Sequence, residues 1–370
     1  METLDQLLNK DLDHICTNLS EEFGAMGGKR LLMTGGAGFL GYYMVQSVVH
    51  WNRHHDAAAC IDLTVYDNYV RGVPAWLSSL EGTDHLTLER QDMIQPLPTD
   101  IPDFQFIVHA AGIASPIYYR RNPIETMDAN INGLRNLLDY SRARKDSAKP
   151  VEGFIFYSSS EIYGDPPRQD IPTPETYRGN VSCTGPRACY DESKRYGETL
   201  CVNFAQQYGL PIKVVRPFNN YGPGLKISDR RVIPDFARDV MEGRDIIMLS
   251  DGSPTRTFCY SADSVCGYYK ALVNGRPGEA YNVGVEEPEV SMLELAEKVV
   301  STAREIVGYE GRVVRQEPDE AAYLVDNPNH RCPDMTKSRQ ELGYNPTILL
   351  DEGLRRSITW YHYNREGDDA

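Results

Sequence analysis

The segment Arg30-Leu-Leu-Met-Thr-Gly-Gly-Ala-Gly-Phe-Leu-Gly41 decides how this 370-residue chain folds. Its first five residues read as a buried strand, three spaced glycines follow, and the stretch from Leu40 to His50 is amphipathic with helical spacing. Glycines between a strand and a helix permit a tight turn and a close backbone approach to a diphosphate, whose charge then lies at the helix N-terminus. The residues that we assign to this dinucleotide-binding turn are Gly35, Gly38, Phe39, Leu40 and Gly41.

Further short apolar runs follow along the chain, each separated from the next by enough residues for a helix or a crossover. The runs are 63–66, 86–88, 106–108, 154–157 and 212–215. Apolar strands that alternate with helical segments are typical of a parallel sheet covered on both faces. The predicted fold class is α/β, a doubly wound parallel Rossmann sheet with a smaller, mostly C-terminal lobe.

The domain boundaries follow from where this alternation starts and where it lapses. At roughly 150 residues per domain, the length suggests two domains. Residues 1–28 show weak helical spacing of leucines, and the chain after Arg216 becomes rich in Pro and Gly turns. We predict an N-terminal helical extension at 1–28 and a dinucleotide-binding domain at 29–216 with a return segment at about 255–284. The substrate-binding lobe is then formed by 217–254 and 285–365.

The composition is that of a soluble globular protein, with 41% hydrophobic and 25% charged residues. The chain has 38 basic and 53 acidic residues, a net charge of -15, which repels nucleic acid phosphates and anionic lipid. We therefore expect no nucleic acid partner. An anionic substrate would need a local group of arginines and lysines that overcomes the overall field.

The sequence does not support a membrane protein or a metalloprotein. No apolar run reaches about 18 residues, and the first 20 residues mix charges throughout, so we expect neither a membrane span nor a secretory signal. The eight cysteines form no Cys-x-x-Cys pair, and the His54-His55 pair has no further ligands at metal-binding spacing. We expect free thiols, no metal and a cytoplasmic location.

The second predicted strand ends in Asp67, which lies 26 positions after Gly41. A carboxylate at this point can accept hydrogen bonds from the adenosine ribose hydroxyls. It also repels the additional phosphate of NADP, so the sequence favours NAD as the cofactor.

The spacing of the three glycines resembles the extended short-chain dehydrogenase/reductase family. That resemblance implies a Tyr-x-x-x-Lys pair, supplied by Tyr190 and Lys194, and a hydroxyl residue after the fifth strand, supplied by Ser159. Because residues four apart share a helix face, the ammonium can lie near the phenol and lower its pKa from about 10 towards working pH. Ser159 would then hold a substrate hydroxyl, while Tyr190 takes its proton as NAD takes the hydride. The further NAD contacts that the resemblance implies are Asn68, Asp92, Met93, Ala111, Asn130, Tyr190 and Lys194.

Several short sequence motifs narrow the resemblance to the UDP-glucuronate decarboxylase family, also called UDP-xylose synthases. They lie at 159–166, 185–192, 216–219 and 255–258, and further similarity at 109–116, 122–126 and 331–337 covers nearly the whole chain after residue 29. The most specific is Gly185-Pro-Arg-Ala-Cys-Tyr190. The resemblance implies decarboxylation of UDP-glucuronate to UDP-xylose through a 4-keto intermediate, and a homodimer built from paired helices.

The same resemblance places further residues at the substrate. It ties Glu161 and Arg256 to the decarboxylation stage, where Arg256 would hold the carboxylate and assist protonation at carbon 5, and Glu161 would orient the ring or a proton-donating water. Arginines that bind a diphosphate in a bidentate manner suit the rest of the substrate. The substrate contacts that it implies are Ser115, Tyr119, Asn219, Arg231, Arg256 and Arg331.

Two other functions remain open at this point. A nucleotide-sugar 4-epimerase would use the same oxidation, and a non-enzymatic NAD-binding protein would use the same fold. Ser160 disfavours a 4,6-dehydratase, which usually has Asp-Glu here.

The chain departs from the decarboxylase pattern at Ser159, often Thr in that family, at Arg120 and Arg121, and at 317–323. The nucleotide base and the final product, whether a pentose, a 4-keto pentose or an epimer, also stay open.

Overall fold

The computed structural model describes residues 3–316 and 328–365, so the departing segment 317–323 lies outside the described residues. The strands, in chain order, are β1 (Arg30–Thr34), β2 (Asp62–Asp67), β3 (Leu86–Arg90), β4 (Phe106–His109), β5 (Gly153–Tyr157), β6 (Ile212–Pro217), β7 (Asn220–Tyr221), β8 (Ile246–Met248), β9 (Thr255–Arg256), β10 (Cys259–Tyr260), β11 (Ala280–Val283), β12 (Val290–Ser291), β13 (Val313–Arg315) and β14 (His330–Arg331). The helices are α1 (Leu4–Asn18), α2 (Ser20–Met26), α3 (Phe39–Arg53), α4 (Ala75–Ser78), α5 (Pro116–Arg121), α6 (Pro123–Ala143), α7 (Ala188–Tyr208), α8 (Val232–Met241), α9 (Ser261–Asn274), α10 (Met292–Val307), α11 (Thr336–Leu342) and α12 (Leu350–Asn364).

Seven parallel strands form the central sheet, in the order β11-β6-β5-β4-β1-β2-β3. The inner strands β4 and β5 are buried along their whole length, which explains their continuous apolar sequences. Helices cover both faces of the sheet, and the predicted doubly wound α/β class is confirmed. Because the strand order reverses between β1 and β4, the loops after these strands diverge and leave a crevice at the carboxyl edge of the sheet.

Small sheets after β6 bring distant residues to that crevice. The order β12-β9-β14 forms one of them, and β14 runs parallel to β9 with Arg331 directly opposite Arg256. The pairs β10-β7 and β13-β8 form two more. The β9-β14 pairing therefore places two of the arginines that the sequence assigns to the substrate side by side.

Residues 3–28 form two helices, α1 and α2, that pack against the body of the protein. Asp11 on α1 is fully buried, where it forms an ion pair with Arg356 of α12 and accepts hydrogen bonds from Tyr43 of α3 and Tyr260. A buried carboxylate is stable only when it is paired and hydrogen-bonded in this way. The N-terminal segment thus ties the cofactor-side helix α3 to the C-terminal helix α12.

Two general features of the described residues bear on function. No helix among residues 3–316 and 328–365 is long and apolar enough to cross a membrane. Nor does this part of the chain bring three or more His, Cys, Asp or Glu side chains into a group that could hold a metal ion.

Candidate active site

A cavity of about 740 Å³ lies at the carboxyl edge of the sheet, between the loops of the central sheet and the smaller lobe. The residues singled out in the sequence that line it are Gly35, Gly38, Phe39, Leu40, Gly41, Asp67, Asn68, Asp92, Met93, Ala111, Ser115, Tyr119, Ser159, Glu161, Tyr190, Lys194, Asn219, Arg231, Arg256 and Arg331. Asn130 lies behind the wall: it is fully buried, and its Nδ2 donates to Ser193 Oγ at 2.9 Å. The fold thus brings nearly all of these residues to one site.

The glycine turn fits a dinucleotide diphosphate. Gly35 has a φ of 76°, in the left-handed region, and a Cβ there would lie 2.6 Å from the Ala111 backbone. A Cβ on Gly41 would collide with the Gly36 carbonyl, so only glycine lets α3 begin this close to the turn. The result is a side-chain-free wall at a helix N-terminus, the environment that a phosphate prefers.

Asp67 ends β2 beside this turn. Its carboxylate accepts from the backbone N–H groups of Ala37 at 3.1 Å and Tyr69 at 2.8 Å, which fixes the side chain in the cavity wall. Burial raises the pKa of Asp67 above its ordinary value, and the two N–H groups oppose that rise. Each carboxylate oxygen keeps a second lone pair, so the residue can still accept a ribose hydroxyl.

Tyr190 and Ser159 meet inside the cavity. Tyr190 is 6% exposed, and its ring stacks on Tyr119 with the centroids 5.2 Å apart. Burial raises the pKa of Tyr190 to about 12, although a hydrogen bond with Ser159 lowers it. The Tyr119 hydroxyl is buried without a hydrogen-bond partner among the described residues. Two phenols and one hydroxyl are therefore gathered where a polar ligand can engage them.

Lys194 lies near Tyr190 at the wall of the cavity. Its Nζ donates to the Tyr157 carbonyl at 2.7 Å and lies 5.6 Å from the Tyr190 ring centroid. Burial lowers the pKa of Lys194 itself to about 7. Desolvation dominates the pKa of both groups, and the activation of the phenol by this lysine stays a prediction.

Glu161 lies at the centre of an arginine cluster, which consists of Arg187, Arg256 and Arg331. Arg331 donates to both Glu161 oxygens at 2.5 Å, and Arg187 donates to Oε2. Although burial alone would raise it, the Arg187 and Arg331 guanidiniums lower the pKa of Glu161 to about 2. Glu161 is therefore an anion at neutral pH and cannot supply a proton in this arrangement.

Arg256 is the member of the cluster that has no carboxylate of its own. Its guanidinium donates to the backbone carbonyls of Thr255, Asn329 and Pro328. Within residues 3–316 and 328–365, no carboxylate lies within ion-pair distance of it, and it is only 7% exposed. Burial and the neighbouring Arg331 lower the pKa of Arg256 to about 9. A buried cation of this kind favours the arrival of an anion.

Sequence reasoning missed Arg187 as a functional residue. It precedes α7 as part of the Gly-Pro-Arg segment, three positions before Tyr190, and it donates to the same Glu161 oxygen, Oε2, as Arg331 does. The sequence feature that could have indicated its role is a cation one helical turn before the tyrosine. Only the fold reveals its partner, because Glu161 is 26 residues away.

Two of the remaining substrate residues contact Asp229. Arg231 pairs with its carboxylate at 3.0 Å, and Ser115 Oγ donates to its carbonyl at 2.9 Å. Asn219 donates to the Thr257 carbonyl at 2.9 Å. Arg120 and Arg121 are the two arginines at which the sequence departs from the decarboxylase pattern. Arg120 lines the cavity and donates to the Pro116 carbonyl, whereas Arg121 is exposed and does not line the cavity.

A doubly wound sheet, a glycine turn with an acidic partner and a buried Tyr-Lys pair at the crevice define an NAD-dependent enzyme of the short-chain dehydrogenase/reductase type. The model of the NAD dependent epimerase/dehydratase family matches residues 31–284, and the chain belongs to this family. NAD as the cofactor and membership of the extended branch are thereby confirmed.

Curated relatives cover most of the chain. UDP-glucuronic acid decarboxylase 5 of Arabidopsis thaliana is 36% identical over 327 residues, which is 88% of this chain and 87% of the relative. UDP-glucuronic acid decarboxylase 1 of Danio rerio is 34% identical over 333 residues, 90% of this chain and 72% of the relative.

Solved structures share the whole fold. UDP-glucose 4-epimerase of Thermotoga maritima, in a structure with UDP-glucose, has a TM-score of 0.75 at 25% identity and covers 91% of this chain and 100% of its own. The dTDP-glucose 4,6-dehydratase of Bacillus anthracis, in complex with NAD, has a TM-score of 0.74 at 21% identity and covers 92% and 98%. The latter likeness concerns the fold alone.

Proposed function

We propose that this protein catalyses the NAD-dependent decarboxylation of a nucleotide-linked glucuronate, UDP-glucuronate to UDP-xylose, through a 4-keto intermediate. The observation that carries the proposal is Arg256, a buried cation in the cavity beside Tyr190 that lacks a carboxylate partner among the described residues. A sugar carboxylate supplies that missing anion, whereas a neutral hexose does not. The names of the curated relatives, UDP-glucuronic acid decarboxylases, support the same substrate.

The residues divide the work as follows. The glycine turn, Asp67 and Lys194 would hold NAD, which would supply a reversible hydride acceptor for carbon 4. Ser159 binds the substrate hydroxyl on carbon 4, and Tyr190, as the phenolate, takes its proton. Burial raises the pKa of this phenol to about 12, so a positive charge beside it, such as the nicotinamide of bound NAD would bring, would favour the phenolate.

Decarboxylation then follows from the position of the ketone. A ketone on carbon 4 is β to the carboxylate on carbon 5, so the bond from carbon 5 to the carboxylate breaks, carbon dioxide leaves, and the electron pair moves into an enolate. As carbon dioxide leaves, the negative charge moves from the carboxylate, which Arg256 and Arg331 hold, to the enolate oxygen on carbon 4, where the Ser159 and Tyr190 hydroxyls stabilise it. A proton then reaches carbon 5 from a water that Glu161 orients, because the ionised Glu161 has none to give.

The diphosphate is assigned to Asn219 and Arg231, with Ser115 and Tyr119 along the sugar. Arg331 was expected at the diphosphate as well, but its two hydrogen bonds to Glu161 favour a place at the carboxylate end.

Incubation of the purified protein with UDP-glucuronate, with and without added NAD, tests the proposal. We expect carbon dioxide release and a UDP-pentose, followed by mass spectrometry and proton NMR. A product of unchanged mass with a new sugar signal would instead identify a 4-epimerase, the second candidate, which the fold of the Thermotoga maritima epimerase favours. A 4-keto pentose would mean that the final reduction does not follow.

We further propose a homodimer in which α6 and α7 of each chain form a four-helix interface. Ile124 and Met127 on α6 and Tyr196 on α7 are large apolar side chains with 64%, 37% and 50% exposure. Covering them with a second copy removes apolar surface from water. Light scattering should give the mass of two chains, and a concentration-independent mass of one chain would refute the proposal.

The eight free thiols agree with a reducing compartment such as the cytoplasm.

A further inference from the structure

Asp191 is a buried carboxyl group beside the arginine cluster that the proposed mechanism does not use. Its side chain is 8% exposed, and it lies one turn after Arg187 on α7. Its Oδ2 is 3.8 Å from Arg187 Nε, within ion-pair distance but too far for a hydrogen bond. Its Oδ1 is buried without a hydrogen-bond partner among the described residues. A carboxyl group held this way is poorly satisfied as an anion.

The environment of Asp191 makes its carboxyl group hold a proton to a higher pH than an exposed aspartate does. Burial and the neighbouring Glu161 raise the pKa of Asp191 to about 7, against the opposing pull of Arg187. The charged and titratable groups that act on it from the surrounding elements are Glu161 after β5, Arg331 of β14, Tyr119 of α5 and, on its own helix, Arg187, Cys189, Tyr190 and Glu192.

Arg187 lies between two carboxyl groups that compete for it. It donates to Glu161 through Nη2, while its Nε faces Asp191. With Asp191 protonated, the arginine cluster carries three positive charges against the single negative charge of Glu161. With Asp191 ionised, a second anion enters the cluster and attracts Arg187. The net charge that an incoming carboxylate meets therefore depends on one proton.

We propose that Asp191 sets the selectivity of the site for carboxylate substrates: when protonated it leaves the arginine cluster positive enough to receive one, and when ionised it draws Arg187 away from Glu161 and weakens that binding. Asp191 acts through Arg187, so it is a positioning residue. The inference rests on the proposed function, because it needs a substrate with a carboxylate.

The test compares two ligands that differ in the carboxylate. UDP-glucuronate and UDP-glucose are titrated by calorimetry into NAD-loaded protein that carries Tyr190→Phe, so that neither ligand turns over. The ratio of their Kd values cancels the titration of Lys194 and of other groups that act on both ligands alike. The preference for UDP-glucuronate should fall about five-fold between about pH 6 and pH 8, because the carboxylate then competes with an ionised Asp191.

Asp191→Asn should abolish this pH dependence, since the amide cannot ionise. Asp191→Ser also cannot ionise, and it carries the test where the amide does not fold. Glu192→Gln is the matched control: this neighbouring carboxylate pairs with Arg195 at the surface, so its removal should leave the pH dependence in place.

The outcomes distinguish the role of Asp191 from the proposed function. A preference for UDP-glucuronate that persists from about pH 6 to pH 8, or that falls equally in Asp191→Asn, overturns the role of Asp191 while the proposed function stands. Equal binding of the two ligands at every pH overturns the carboxylate substrate itself and, with it, this inference.

Discussion

Tyr190→Phe should lower turnover about a thousand-fold while leaving the cofactor bound, because it removes the phenol that the site places next to Ser159 as proton acceptor. The phenol is buried among the described residues against Tyr119, so phenylalanine fits the same volume and keeps the stacking contact. The measurements are the rate of carbon dioxide release and the amount of NAD retained through gel filtration. The loss should appear in kcat more than in KM, since the substrate carboxylate and diphosphate keep their contacts.

Tyr196→Phe provides the control for this variant. It removes a hydroxyl from the same helix, six residues further on, where the side chain is half exposed and away from the cavity. This control should turn over like the unmodified protein. Normal turnover in Tyr190→Phe would show that another group takes the hydroxyl proton, and loss of NAD from that variant would point to a structural role instead.

The parts of the site that the sequence predicted are local in the chain. The glycine turn spans seven residues, and Tyr190 and Lys194 are four apart, so their geometry follows from one turn or one helix. Predicting the position of Asp67 also required the assumption that β2 lies beside β1, and the parallel pairing of these two strands confirms that assumption. The apolar strands likewise predicted a doubly wound sheet, because each strand carries its own signal.

The interactions that the sequence could not predict depend on long-range pairing and on burial. Arg331 reaches Glu161 only because β14 pairs with β9, and these strands are 75 residues apart with no strong strand pattern of their own. The direction of the Tyr190 pKa depends on desolvation, which no spacing encodes. The buried partners of Asp11 lie as far away as residue 356, so the packing of the N-terminal helices could not be foreseen either.

Arg256→Ala should separate the two stages of the reaction. Oxidation at carbon 4 depends on Ser159, Tyr190 and NAD, so bound NADH should still form on addition of UDP-glucuronate. Loss of carbon dioxide requires the carboxylate to be held so that its bond to carbon 5 lines up with the ketone, and removal of the cation that positions it costs about a hundred-fold in such a step. The variant should therefore accumulate NADH absorbance while it releases carbon dioxide slowly.

Two further variants show whether this effect comes from the charge at that position. Arg256→Lys keeps a cation but loses the fork that donates to the Thr255, Asn329 and Pro328 carbonyls, so it should recover only part of the rate. Arg312→Ala removes an arginine from the surface of the smaller lobe, where its side chain is 81% exposed, and should behave like the unmodified protein. If Arg256→Ala releases carbon dioxide at the normal rate, the buried cation is not the carboxylate site. If it loses NADH formation to the same extent, Arg256 acts in binding rather than in decarboxylation. A decarboxylase and an epimerase share the first stage on this fold, so the arginine cluster is where their chemistry diverges.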